Sequence, residues 1–177
     1  TRSQCLHSKA FIPIVGDITK PDDLKPFIDG LPKIYGLVNN AGINHVDKAE
    51  ECSFEDWDRV LKTNISGMFY MCSLLFSKFE KDSRIINIGS VAADGSLPYM
   101  PTIGYCTSKG AVRSFTKALA SKWAKYDIKV NEIAPVFFET EMTREFVNSD
   151  STKGTMDRLS PMKRAGKEGE LDSTLLY

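Results

Sequence analysis

The chain has 177 residues, enough for a single domain whose core folds without disulfides. Its 23 Lys and Arg balance 23 Asp and Glu, which argues against a nucleic-acid footprint and against a polybasic membrane surface. The four cysteines (Cys5, Cys52, Cys72 and Cys106) are scattered with no Cys-x-x-Cys pair, a usage that favours free thiols in a reducing cytoplasm over a disulfide framework or a zinc site. No apolar run approaches the roughly 18 residues of a membrane span, and Thr1 to Cys5 lack the apolar core of a signal peptide. Cytoplasmic location, no membrane partner and no bound metal are the expectations.

In chain order, Phe11 to Val15 is a short apolar run closed by Gly16 and Asp17, which predicts a strand with a polar group at its C-terminal tip. Pro21 to Ile28 opens with a turn signal and predicts a short helix. Ile34 to Val38 predicts a second strand running into Asn39-Asn40-Ala41-Gly42. Ser53-Phe54-Glu55-Asp56 has the spacing of a capping box, and Val60, Leu61, Ile65, Met68, Cys72, Leu75 and Phe79 follow at helical period. Arg84 to Ile88 predicts the third strand, Tyr105 to Trp123 a helix, and Ile128 to Ile133 the fourth strand, closed by Ala134-Pro135. Beyond it, one or two short helices between Thr140 and Leu159 are expected to form a flap, and Lys167 to Tyr177 to start a last helix with Glu168 and Glu170 in its first turn. The whole chain, 1–177, reads as one domain.

Strands that alternate with helical stretches of this length predict a parallel sheet covered on both faces, with ligands beyond the carboxyl ends of the strands. The polar markers gather at those ends: Asp17, Asn39 to Gly42, Ser90, and the segment after Pro135. Ser90 ends a strand, and Tyr105 and Lys109 are spaced to share one helix face. A free phenol titrates near 10 and is a poor acid–base group at neutrality, but a Lys one turn away favours the phenolate and is expected to lower that value. With a Ser hydroxyl to hold an oxygen, the trio suits proton transfer at an alcohol or ketone. It does not suit acyl transfer, because His7 and His45 carry no triad-like context.

These pieces, in this order, resemble the short-chain dehydrogenase/reductase family. Asn39-Asn40-Ala41-Gly42 is similar to the family's Asn-Asn-Ala-Gly motif, Thr63-Asn64-Ile65-Ser66-Gly67 to its helix carrying a catalytic Asn, and Ser90 with Tyr105-x-x-x-Lys109 to its active site. The resemblance covers roughly residues 11 to 177. It implies an α/β Rossmann-type doubly wound parallel sheet, NAD or NADP as cofactor, and hydride transfer between a secondary alcohol and a ketone. It gives Ser90 the reacting oxygen and Tyr105 the proton. Lys109 would lower the Tyr105 pKa and hold the nicotinamide ribose, and Asn64 would anchor a proton-relay water. Asp17 and Ile18 are placed near adenine, Asn40, Ala41 and Gly42 near the adenosine side, and Pro135, Phe138 and Thr140 at the carboxamide end. Plainer readings stand beside these: Asp17 as a turn or helix cap, Asn39 to Gly42 as an ordinary turn, and Asn64 as a side chain that only bonds backbone. The resemblance also implies a homo-oligomer, dimer or tetramer, and a small carbonyl or alcohol substrate, closest to sugar acids or 3-oxoacyl groups.

Two departures from the family pattern stand out. Pro135 is followed by Val136 where the family has Gly, and Val enters the positive-φ region only at a cost. The family's opening strand, glycine-rich pyrophosphate loop and second strand are not found, since only ten residues, none of them Gly, precede Phe11. Leu171 to Tyr177 likewise stops before a final strand. A sheet lacking the first two strands and the last is therefore expected, and the alternative function is a non-catalytic remnant that acts, if at all, through protein–protein contact.

Overall fold

The computed structural model describes residues 12–95, 101–144, 147 and 160–176. Three strands form one parallel sheet in the order β1-β2-β3: β1 (Ile34–Asn39), β2 (Phe79–Ile88) and β3 (Lys129–Ile133). The register pairs Asn39 with Asn87 and Ile88 with Ile133, so all three strands end at one level. Asn40, Ser90 and Pro135, which follow those ends, therefore emerge along the same edge of the sheet.

Helix α1 (Pro21–Asp29) starts on Pro21, whose missing N–H costs nothing in a first turn, and carries Asp22 and Asp23 at its positive end. Helix α2 (Phe54–Leu61) is capped by Ser53, whose hydroxyl accepts from Asp56 N at 3.0 Å. A π-helical turn, Lys62–Gly67, joins it to α3 (Met68–Leu75), so the long helical period in the sequence is interrupted at Asn64. Helix α4 (Ile103–Trp123) begins two residues before Tyr105. Leu24 and Ile28 of α1, Cys72 and Leu75 of α3, and Ile85 and Val130 of the sheet form the core, with Phe115, Leu119 and Trp123 of α4 packed against it. Burial raises the Cys72 thiol to about 11, in keeping with a packing role, although Asn39 donates a hydrogen bond to its sulfur.

A polar chain crosses this core. Asn39 Nδ2 donates to Asn87 Oδ1 at 2.9 Å, Asn87 Nδ2 to Thr116 Oγ1 at 2.9 Å, and Thr116 Oγ1 to the Val112 carbonyl at 2.8 Å. It ties β1 to β2 and β2 to α4 where apolar contacts alone would leave their relative height free.

The structure corrects four expectations. Residues 12–16 form no strand, and Val15 is 93% exposed; among the described residues no neighbour supplies the ladder that an extended segment needs. The sheet is not fully covered among the described residues: Tyr35 and Val38 of β1 are 66% and 48% exposed. The third strand starts at Phe79 rather than Arg84, because Phe79 pairs with Ile34 at the start of β1 before the register shifts to Gly36 and Arg84. Helix α5 covers only Asp172–Leu176, so Glu168 and Glu170 precede it. Glu170 instead pairs with Arg164 and accepts from Lys167 N, which holds its carboxyl down at about 2. Most of the expected flap, like Tyr99 and Met100, lies outside the described residues.

Candidate active site

Ser90 lies two residues beyond the end of β2 and caps a short 3-10 turn, Val91–Asp94, accepting from Ala92 N at 3.1 Å. Tyr105 and Lys109 sit one turn apart on α4, with the ammonium 5.5 Å from the centre of the phenol ring. Tyr105 and Ser90 line the same cleft, and the Ser90 hydroxyl acts to lower the Tyr105 pKa. The Lys109 Nζ donates to the Ile88 carbonyl at 2.7 Å, anchoring the helix to the tip of β2. These three side chains line one cleft of about 860 Å³ together with Asn40, Gly42, Pro135, Phe138 and Thr140.

Asn64 is fully buried behind the wall of that cleft. Its Oδ1 accepts from Ile43 N at 2.8 Å, and its Nδ2 donates to the Ile43 carbonyl and to Ser108 Oγ, both at 2.9 Å. Ser108 in turn donates to the Tyr105 carbonyl at 2.7 Å. Asn64 thus clamps the strand-end loop to the helix that carries Tyr105. Gly42 is wedged in front of it: a Cβ there would stand 3.3 Å from Asn64 Oδ1 and 3.8 Å from Lys109 Nζ.

The electrostatics differ from the expectation that Lys109 pulls the phenol down. Burial is the largest influence on Tyr105 and raises its pKa, against the Ser90 hydroxyl that lowers it. Lys109 is 5% exposed, and burial pushes its pKa down to about 8, opposed by the charge of Glu132. The pair are two buried groups, each displaced toward its neutral form.

Other predicted residues separate from this group. Ile18, Ala41 and Asn40 line an adjoining hollow of about 110 Å³, so Asn40 bridges the two spaces. Asp17 lines neither described space; its carboxylate accepts from Thr19 N at 2.9 Å and Thr19 Oγ1 at 2.8 Å, a turn contact that lowers its pKa. Val136 is not among the residues with positive φ, so the Pro135 turn accepts it without strain. The cleft also holds Gly89, Glu141, Met142, Thr143 and Leu171, which sequence reading did not single out; only their closeness to Pro135 or the chain end marked them.

The small residues and donors suit the nicotinamide–ribose end of a dinucleotide: Gly42 gives close backbone approach, and the Lys109 ammonium has hydrogens beyond the one donated to Ile88. Among the described residues, no glycine-rich strand-to-helix turn offers backbone amides to a pyrophosphate.

Comparison with known proteins identifies the family. The family described as short chain dehydrogenase matches residues 2–151. A 3-oxoacyl-[acyl-carrier-protein] reductase FabG of Chlamydia pneumoniae is 34% identical over 158 residues, covering 88% of this chain and 62% of that protein. A gluconate 5-dehydrogenase of Gluconobacter oxydans is 31% identical over 169 residues, covering 92% of this chain and 65% of its own length. The crystal structure of a gluconate 5-dehydrogenase from Burkholderia cenocepacia, in complex with NADP and tartrate, superposes with a TM-score of 0.82 at 29% identity, covering 90% of this chain and 64% of that one. This chain therefore spans less than two thirds of the length of each of these relatives. The Ser90, Tyr105 and Lys109 cleft at the strand ends, the buried Asn64 clamp and the family match together place the chain in the short-chain dehydrogenase/reductase family of oxidoreductases.

Proposed function

We propose that this chain carries the reaction end of an NAD- or NADP-dependent oxidoreductase that interconverts a secondary alcohol and a ketone. The observation that carries the reading is one cleft lined by Ser90, Tyr105 and Lys109 at the ends of the strands. A nicotinamide bound beside Lys109 would supply or accept the hydride at the carbinol carbon. Ser90 holds the reacting oxygen. Tyr105, kept as a phenol by burial, gives its proton to that oxygen as the ketone becomes an alcohol, and takes it back in the reverse direction. Lys109 holds the ribose and supplies positive charge beside the phenol. Asn64 spends its side chain on Ile43 and Ser108, beside which it would anchor the proton-relay water.

In this reading Pro135, Phe138 and Thr140, which line the cleft, would hold the carboxamide end, and Asn40, Ala41 and Gly42, with Ile18, would lie toward the adenosine side. Asp17, engaged with Thr19, acts as a turn cap. The substrate is a small carbonyl compound of the sugar-acid or 3-oxoacyl kind, by analogy with the named relatives. A homo-oligomer, dimer or tetramer, is carried over from the family resemblance, with the half-exposed Phe69 of α3 available to such a contact.

Titration calorimetry of NADH and of NADPH into the folded 177-residue chain tests the reading. Saturable micromolar binding that Lys109→Ala weakens at least about tenfold, a loss of about 1.4 kcal/mol, is the expected result. A folded chain that binds neither would overturn it for this chain and leave the non-catalytic reading.

A further inference from the structure

Glu132 lies on β3, paired in register with Asn87, and its side chain is only 13% exposed. One carboxylate oxygen, Oε2, sits 3.4 Å from Arg113 Nε, and Arg113 is also hydrogen-bonded through Nη1 to Asp94. The other, Oε1, is buried without a hydrogen-bond partner. It presses on Gly89, where a Cβ would fall 1.8 Å from it. Gly89 lines the cleft, and the carbonyl just before it, Ile88 O, is the acceptor for Lys109 Nζ at 2.7 Å. Lys109 and Glu132 therefore flank the same Ile88–Gly89 peptide unit. Asp94 belongs to the turn that Ser90 caps, so the ionic chain Asp94–Arg113–Glu132 also links that turn to α4 and β3.

We propose that Glu132 is a positioning residue of this site: its carboxylate, held by Arg113 and through it by Asp94, fixes the Gly89 strand tip and keeps the buried Lys109 side chain charged at the cleft. The carboxylate opposes the burial that would otherwise neutralise Lys109. The charged groups facing Glu132 are Lys109 and Arg113 from α4, with Asp94 behind Arg113. Those facing Lys109 are Glu132, Tyr105 on its own helix, and Glu141, which lines the same cleft from beyond β3. A buried carboxylate without a full set of partners costs stability, and its retention beside an active-site Lys is explained by the charge it supplies. This role rests on the reading of Lys109 as part of the reaction site.

The test is the titration of Lys109 itself, read by competitive acetic anhydride labelling and peptide mass analysis on the chain without added cofactor. Failure of cofactor binding would leave this readout intact. Glu132→Gln keeps the shape and removes the charge, and its Lys109 midpoint is expected to fall from about 8 by about 0.5 unit or more. Glu141→Gln is expected to leave it within about 0.2 unit. An unchanged midpoint in Glu132→Gln, or an equal shift in both variants, would overturn the proposal. Should Glu132→Gln lose its native circular dichroism, Glu132→Asp withdraws the carboxylate by one methylene. It is expected to shift the midpoint in the same direction by less, and no shift there would overturn the proposal equally.

Discussion

Replacing Asn64 with alanine removes three hydrogen bonds in one step: those to Ile43 N, to the Ile43 carbonyl and to Ser108 Oγ. Each neutral bond contributes about 1 kcal/mol net, so the lost bonds sum to about 3 kcal/mol. Ser108 keeps its bond to the Tyr105 carbonyl, and Ile43 is only partly buried, so water relieves part of the penalty on its freed backbone groups. A destabilisation of about 2–4 kcal/mol is the expected result, large against the 5–15 kcal/mol of an ordinary domain. Urea unfolding followed by circular dichroism measures it, with the slope checked so that a change in midpoint reports stability alone. Amide exchange at Ile43 should accelerate in the same variant, because that N–H loses its acceptor. Asn64→Asp keeps an acceptor for Ile43 N but faces the Ile43 carbonyl with a second oxygen, so it should not rescue. A loss below about 1 kcal/mol with Ile43 still protected would refute the clamp and return Asn64 to a purely chemical role.

Thr116→Val keeps the shape of the side chain but leaves Asn87 Nδ2 without its acceptor inside the core. It should cost about 1–3 kcal/mol in the same assay, and Thr116→Ser should stay within about 1 kcal/mol of the parent. Lys109 yields a pH signature. Its folded value of about 8 lies below the ordinary 10.5, so between those values the unfolded chain binds more protons and stability from this group rises with pH. Relative to Lys109→Met, the parent should gain up to about 3 kcal/mol as the pH climbs through that window, measured by parallel unfolding curves. A gap that stays flat with pH would show that the ammonium is not buried.

The alternation of apolar runs and helical periods was enough to read β1, β3, α1, α2 and α4, because each element announces itself over consecutive residues. Ser53 at a helix start and Pro21 in a first turn are local signals of the same kind, and the structure uses both as such. The run at Phe11 to Val15 shows the limit of that logic. A strand is defined by its partner, and the described part of this segment has none. The π-helical turn at Asn64 is equally silent in the periodicity, because Val60 and Cys72 keep their inward faces on either side of it.

For the site, the order of motifs and the four-residue step from Tyr105 to Lys109 determined which side chains belong together, since one helix face and one strand end leave few other arrangements. The sequence by itself also settled the parallel connectivity, because helices separate successive strands and forbid hairpins. Only the tertiary structure decided the charges. Whether Lys109 lowers a phenol or is itself neutralised depends on burial, and burial is a property of the packed chain, not of spacing. The same holds for Glu132, a polar residue on a strand until β2, β3 and α4 close around it, and for Asn87 and Thr116, which become one network only when α4 lies over the sheet.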